Sequence, residues 1–187
     1  DFHWLVQFRY YLKSDSDTAR VSPLGKLETR CVHHSLLYAY EYLGGGGKHR
    51  LAITPLTLRC FRAFFCALRT HAGCILQGVP GAGSTATVLG LARALATHAI
   101  SLNCTCSLGC EILAMLLRGA STSGSWMCME NFSSLPLEVI SVAIAQIGGV
   151  ALAARRGGMS VRQNHDTFVK GMTRTFVIEC DSGVVDV

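Results

Sequence analysis

The chain reads as an α/β fold in which a parallel sheet carries helices on both faces, built around a phosphate-binding loop. Three observations lead there. Gly78-Val79-Pro80-Gly81-Ala82-Gly83-Ser84-Thr85 keeps the glycines and the terminal threonine of such a loop, whose full pattern is G-x-x-x-x-G-K-[ST]. An apolar segment precedes the loop, and a segment with a broad apolar face at helical spacing follows it. From Leu51 onward, short apolar runs alternate with helix-like stretches, the pattern of parallel strands joined by helical crossovers. At 187 residues the chain has room for about one domain.

Phe2 to Leu12 alternates aromatic and polar residues and predicts a strand or extended segment packed on a partner; Ser14-Asp15-Ser16-Asp17 predicts a turn or loop. Ser35 to Leu43 carries Tyr38, Tyr40 and Tyr42 at period two, a strand signature. Gly44-Gly45-Gly46-Gly47 then interrupts any regular element and fits a flexible hinge.

Thr54-Pro55 predicts the start of a helix that runs to Arg69. Ala72 to Gln77 predicts the strand that enters the loop. Thr85 to His98 predicts the helix that leaves it, with Val88, Leu89, Leu91, Ala92 and Leu95 facing the core. Ile100 to Cys104 reads as a second strand, Glu111 to Arg118 as a helix, and Gly124 to Asn131 as an apolar strand with an acidic end. Val139 to Ala154 is almost wholly apolar but shorter than the ~20 residues a bilayer requires. With Glu138, Gln146, Gly148 and Gly149 in or beside it, a buried helix beneath the sheet is expected, and no membrane partner. Arg156 to Lys170 is polar and predicts a mobile loop; Thr173 to Val187 predicts two short strands about a turn at Asp181-Ser182-Gly183.

The loop's chemistry follows from its residues. Gly78, Gly81 and Gly83 let the backbone curl so that consecutive N–H groups point inward. Those groups and the start of the next helix attract phosphate. Ser84 stands where the pattern has lysine, the group that reaches the outer phosphates. A hydrogen bond to a charged group contributes roughly 1.5–3 kcal/mol, so the loss weakens binding by one to two orders of magnitude. Thr85 keeps a hydroxyl for Mg²⁺. On the loop alone, an ordinary glycine-rich strand-to-helix turn is the competing reading; the strand and helix around it favour the phosphate loop. In enzymes with this loop a later strand ends in an Asp for Mg²⁺, and in many ATPases a Glu follows that polarises water. Here Glu130 stands in the first place and Asn131 in the second. Asn cannot take a proton, and general-base catalysis supplies a factor of roughly 10²–10⁴.

Composition narrows the function classes. Half the residues are hydrophobic and only 16% are charged, which suggests faces buried against other parts of a larger chain. The net charge of +5 is modest, and Arg9, Lys13, Arg20, Lys26, Lys48, Arg50, Arg155 and Arg156 are scattered along the sequence, which argues against a nucleic-acid partner. The nine cysteines are spread out and no secretory leader precedes Asp1-Phe2-His3-Trp4, so reduced thiols in a cytoplasmic compartment are expected. Cys104, Cys106 and Cys110 lack the paired C-x-x-C spacing of structural zinc sites; buried small residues are the competing and simpler reading.

Several segments together resemble dynein heavy chains. Arg50-Leu51-Ala52-Ile53-Thr54-Pro55-Leu56-Thr57-Leu58-Arg59-Cys60 is similar to the R-L-V-I-T-P-L-T-D-R-C that opens their first AAA+ module. Tyr38 to Gly44 resembles Y-G-Y-E-Y-L-G, and Trp4-Leu5 with Arg9-Tyr10-Tyr11 resembles the W-L…R-Y-Y at the end of the linker. Asn103-Cys104, Gly124 to Phe132, Leu137 to Val142 and Phe176 to Glu179 resemble further family segments, in order and over nearly the whole chain. The departures lie at Ser84, at Glu130-Asn131 for the family's D-E, at Leu58 for its Asp, and at Thr105-Cys106 for its Ser-Asp. The sequence is most like the divergent, dynein heavy chain domain-containing members of the family.

That resemblance implies a P-loop AAA+ three-layer sandwich. Residues 1–47 would be the end of the linker with its glycine hinge, and residues 48–187 a partial large subdomain of the first module, ending before the sensor strand. It implies a degenerate nucleotide site of Gly78, Gly81, Gly83, Ser84, Thr85, Glu130 and Asn131, with Ile53, Pro55 and Leu56 on the adenine side and Thr85 and Glu130 as Mg²⁺ ligands. The cofactor would be weakly held Mg-ATP or Mg-ADP, and the chain a pseudo-ATPase with a structural role; a nucleotide-binding motor module with slow turnover is the alternative. Partners would be the rest of the heavy-chain ring, dynein intermediate or light chains and axonemal proteins. The location would be the cytoskeleton of a cilium or sperm flagellum.

Overall fold

The computed structural model describes residues 2–13, 26–39, 51–79, 81–155, 161–163, 167–169 and 176–181. The chain opens with a short helix, α1 (Phe2–Val6), where the aromatic–polar alternation predicts an extended segment; the strand begins only at β1 (Arg9–Lys13). β1 pairs antiparallel with β2 (Lys26–Cys31), which pairs antiparallel with β3 (His34–Leu37). The period-two tyrosine strand is thus shorter and earlier than expected. Tyr38 follows β3, while Tyr40, Tyr42, the four-glycine run and Ser14 to Asp17 lie outside the described residues.

Helix α2 (Pro55–Arg69) starts where Thr54-Pro55 predicts. The Thr54 hydroxyl accepts from the Thr57 backbone N–H at 3.3 Å, and the Thr57 hydroxyl accepts from the Thr54 N–H at 2.7 Å. This reciprocal cap satisfies two donors that a helix start otherwise leaves open. Strand β4 (Cys74–Gly78) leads into the glycine loop and α3 (Ser84–Ala94) leaves it. β5 (Ala99–Asn103), α4 (Cys110–Ser123), β6 (Trp126–Glu130) and α5 (Leu137–Arg155) follow. α4 is five residues longer at its C-terminal end than the Glu111–Arg118 reading, closing on Gly124 at φ +70°. The polar stretch read as a loop contains a small antiparallel pair, β7 (Val161–Gln163) and β8 (Thr167–Val169). The last described strand is β9 (Phe176–Asp181). The turn expected at Asp181-Ser182-Gly183 falls outside the described residues after Asp181.

The main sheet is parallel, in the order β4-β9-β6-β5. The loop strand β4 and the acidic-ended strand β6 share the sheet, with β9 between them. Strand β6 shows how the layers form. Trp126 and Cys128 pack into one core with Phe61, Phe64 and Phe65 of α2 and Val88, Leu91 and Ala92 of α3. Met127 and Met129 pack into a second core with Leu113 and Leu117 of α4 and Val139, Ala143 and Val150 of α5. Alternate residues of a strand point to opposite faces, so one strand buried on both faces binds two helical layers into a sandwich.

The three-stranded sheet shares the first core: Cys31 is buried in it, and Phe8 stacks on Phe61 with ring centroids 5.7 Å apart. Helix α5 departs from the buried helix expected. It buries Val139, Ala143 and Val150 but leaves Leu137, Ile144 and Leu152 exposed, because only one stripe of a helix can meet a sheet. Among the described residues no helix is long and apolar enough to cross a membrane.

Candidate nucleotide site

In a parallel sheet, the carboxyl ends of all strands open on one edge, where ligands of α/β proteins bind. Here that edge carries Gly78, Asp181, Glu130 and Asn103 as the last residues of their strands. The register sets Gly78 opposite Asp181 and Asn103 opposite Glu130. The sequence-predicted residues of the loop and of the acidic strand therefore meet at one edge, although neither strand touches the other.

The loop is shaped by two left-handed residues, Gly81 at φ +83° and Gly83 at φ +86°. An L side chain at such angles costs roughly 1–2 kcal/mol, so glycine is required locally by the backbone. Pro80 lies outside the described residues. Gly83 is the N-cap of α3, and no side chain caps that helix start. The Gly83 carbonyl accepts from both the backbone N–H and the hydroxyl of Thr87, each at 2.9 Å, which anchors the turn. An uncapped helix start at the end of a glycine loop suits an anion. Ser84 is the first residue of α3, half-buried, and a Cβ on Gly78 would come within 3.7 Å of its hydroxyl oxygen. Thr85 is also half-buried, in the first turn.

Glu130 is half-buried at the end of β6, and its charge joins burial in pushing the thiol of Cys104 upward, burial being the larger cause. Asn131 follows in the left-handed region at φ 52°, which Asn tolerates better than most residues. Its carboxamide donates to Asn103 Oδ1 at 2.9 Å. The Ser134 hydroxyl donates to the carbonyls of Asn131 and Cys104 at 2.8 and 2.7 Å, holding the two strand ends together. Ile53, Pro55 and Leu56 are exposed at the entrance of α2. Leu51, just before them, is so close to α3 that a Cβ on Gly90 would lie 2.9 Å from its Cδ2, so this segment borders the helix that follows the loop. Among the described residues no three His, Cys, Asp or Glu side chains gather as a metal site, and Cys104, Cys106 and Cys110 are free thiols.

Two residues that end strands on this edge were not singled out as site candidates in the sequence. Asn103 stood out only as part of a short family segment, and Asp181 only as a turn residue. The available signal is the same for both: a polar residue closing an apolar run. Using it requires knowing that their strands lie parallel to β4 and β6.

Residues 38–183 match the family profile described as the hydrolytic ATP binding site of dynein motor region. The chain is similar to dynein axonemal heavy chain 12 of Rattus norvegicus, 36% identical over 176 residues that make up 90% of this chain and 5% of that protein. It is 39% identical to dynein axonemal heavy chain 12 of Homo sapiens over 147 residues, 79% of this chain and 4% of that protein. With dynein axonemal heavy chain 3 of Homo sapiens it shares 34% identity over 156 residues, 83% of this chain and 4% of that protein. The chain thus spans 5% or less of the length of these relatives. A loop–helix start suited to phosphate, an acidic strand end on the same sheet edge and this similarity over most of the sequence converge: the chain belongs to the dynein heavy chain family and represents its AAA ATP-binding region.

Proposed function

We propose that this chain is a degenerate AAA+ segment with a mainly structural role in a dynein-like heavy chain of cilia or sperm flagella. The observation that carries the reading is Ser84 at the lysine position of a loop whose glycine-shaped backbone is otherwise kept. Shape and chemistry are separable in such a loop. The glycines and the buried face of α3 maintain the fold, whereas the ammonium group acts only on the outer phosphates. Asn131 removes the second chemical function, since its carboxamide is bound to Asn103 and takes no proton from water.

In this reading residues 1–47 are the end of a linker with a glycine hinge, and residues 48–187 part of the large subdomain of a first AAA+ module. Ile53, Pro55 and Leu56 border the adenine side, and Thr85 and Glu130 are the Mg²⁺ ligands of any nucleotide bound. Mg-ATP or Mg-ADP is then held weakly. The rest of the heavy-chain ring is the principal partner, with intermediate or light chains and axonemal proteins beyond it. The relatives are axonemal by name, which supports an axonemal location. The retained Thr85 and Glu130 favour one second reading, a module that binds nucleotide and turns it over slowly.

Titration calorimetry with Mg-ATP and a phosphate-release assay separate the two. The structural reading expects no sub-micromolar binding and no turnover above background. Turnover that disappears in Thr85→Ala would establish the second.

A further inference from the structure

The connection between β2 and β3 is two residues long, with Cys31 paired to His34 across it. Its first residue, Val32, has φ +54°. Turns of this length give a left-handed position to Gly, Asn or Asp, and a β-branched side chain there is an outlier. Such strain persists only where the surroundings hold it, and it collects at segments that switch.

Val32 is held from three sides. Its side chain packs against the first core. Its N–H donates to the Leu5 carbonyl at 2.8 Å, and its carbonyl accepts from the Arg9 guanidinium at 3.2 Å. Beside it, the Cys31 thiol donates to the Val6 carbonyl at 3.3 Å. Two of these bonds end on the last residues of α1. That helix buries none of its side chains: Phe2 and Trp4 are 58% and 63% exposed, and Leu5 and Val6 are half-buried. Five residues are too few for a helix to stand alone in water, so α1 depends on the turn it touches. The turn depends on α1 in return, because relaxing to negative φ would swing the Val32 N–H off the Leu5 carbonyl. Gln7, exposed, joins α1 to Phe8, whose ring centroid lies 5.7 Å from those of both Phe61 and Phe65. Movement of α1 can therefore stop at Gln7 and leave the core in place.

We propose that α1 and the β2–β3 turn form a strained latch with two states. In the docked state, which the structure shows, the Val6 carbonyl caps the Cys31 thiol and Val32 stays left-handed. In the released state α1 swings about Gln7, Val32 relaxes and Cys31 is uncovered. The strain narrows the gap between the states, so a pull on α1 is felt at the turn. Whatever favours one state of the helix favours the same state of the turn. The latch uses no residue of the nucleotide site and operates whether or not nucleotide binds.

The test is iodoacetamide labelling of the full native chain, with each cysteine quantified by peptide mass spectrometry. Each rate is divided by that of the same cysteine in the urea-unfolded chain. Cys128, 0% exposed in the main sheet, reports global unfolding. Cys31 should label about tenfold faster than Cys128 or more, the mark of local opening. Leu5→Pro breaks α1 and should raise the Cys31 rate roughly tenfold, with the Cys128 rate and the circular dichroism spectrum little changed. Val32→Ala and Val32→Gly both delete the packed side chain, but only glycine accepts the left-handed backbone. Cys31 should therefore label several-fold more slowly in Val32→Gly than in Val32→Ala. Equal labelling of Cys31 and Cys128 overturns the proposal. So does an unchanged Cys31 rate in folded Leu5→Pro, or a rate in Val32→Gly no slower than in Val32→Ala.

Discussion

In the proposed reading Ser84 and Asn131 each remove a different function, and the difference can be measured. At Ser84 a charge is missing from a backbone already arranged by Gly81 and Gly83. In a full heavy chain, Ser84→Lys should therefore raise Mg-ATP affinity about ten- to a hundredfold, measured by calorimetry, the equivalent of roughly 1.5–3 kcal/mol. At Asn131 the base is missing, so turnover should stay at background until Asn131→Glu is added. That second change carries its own cost, because Glu at φ 52° gives up the tolerance Asn has for the left-handed region. If Ser84→Lys binds no better in a folded protein, the loss extends beyond the ammonium group, and Leu58 or a filled pocket becomes the explanation. The thiols supply an independent check on the local environments. Burial pushes Cys74 from 9.0 to about 11, so its protonated form is favoured in the folded state. The associated stability is fully present below pH ~9 and is lost as pH rises through ~11. Urea midpoints measured across that window should fall, and Cys74→Ala should flatten the fall.

At the scale of elements, the start of α3 is the segment where local sequence and local structure agree most closely. The loop needs left-handed residues at Gly81 and Gly83, and glycine is present at both. The N-cap of α4 is also a glycine, but Gly109 has φ −79°, which any residue adopts. Gly83→Ala should therefore destabilise the protein by about 1–2 kcal/mol in chemical denaturation. Gly109→Ala should be within a few tenths of neutral, or slightly stabilising through the unfolded chain. An equal cost at both sites would mean that the glycines matter for something other than backbone conformation. The capping residues Thr54 and Thr57, the loop and the helices after them were legible because each depends on neighbours within four or five residues. Where the reading failed, at α1 and at β7 and β8, the elements are three to five residues long. Segments that short carry too few side chains for either period to be distinguished, so packing rather than pattern sets their form.

At the scale of the whole molecule, β6 ties both cores together. Met129 is fully buried in the second core with Leu113, Leu117 and Val139. Met129→Ala should cost about 2–5 kcal/mol, read from the denaturation midpoint. Its strand and the two helical layers were visible in the sequence as an apolar run and two amphipathic patterns. The strand ends and loop of the candidate site were visible too, because glycine spacing and an acidic strand end are local signatures. The order of the sheet was not. β9 separates β4 from β6, and this brings Asp181 beside Gly78 on the edge where Glu130 and Asn103 end. The Asn131–Asn103 bond, between residues 28 apart, was hidden for the same reason. Side-chain periodicity states which residues share a face of their own strand, but it does not specify which strand lies alongside or in what register. Those choices are made by the burial of both faces of the sheet at once, a property of the assembled chain and of no single segment.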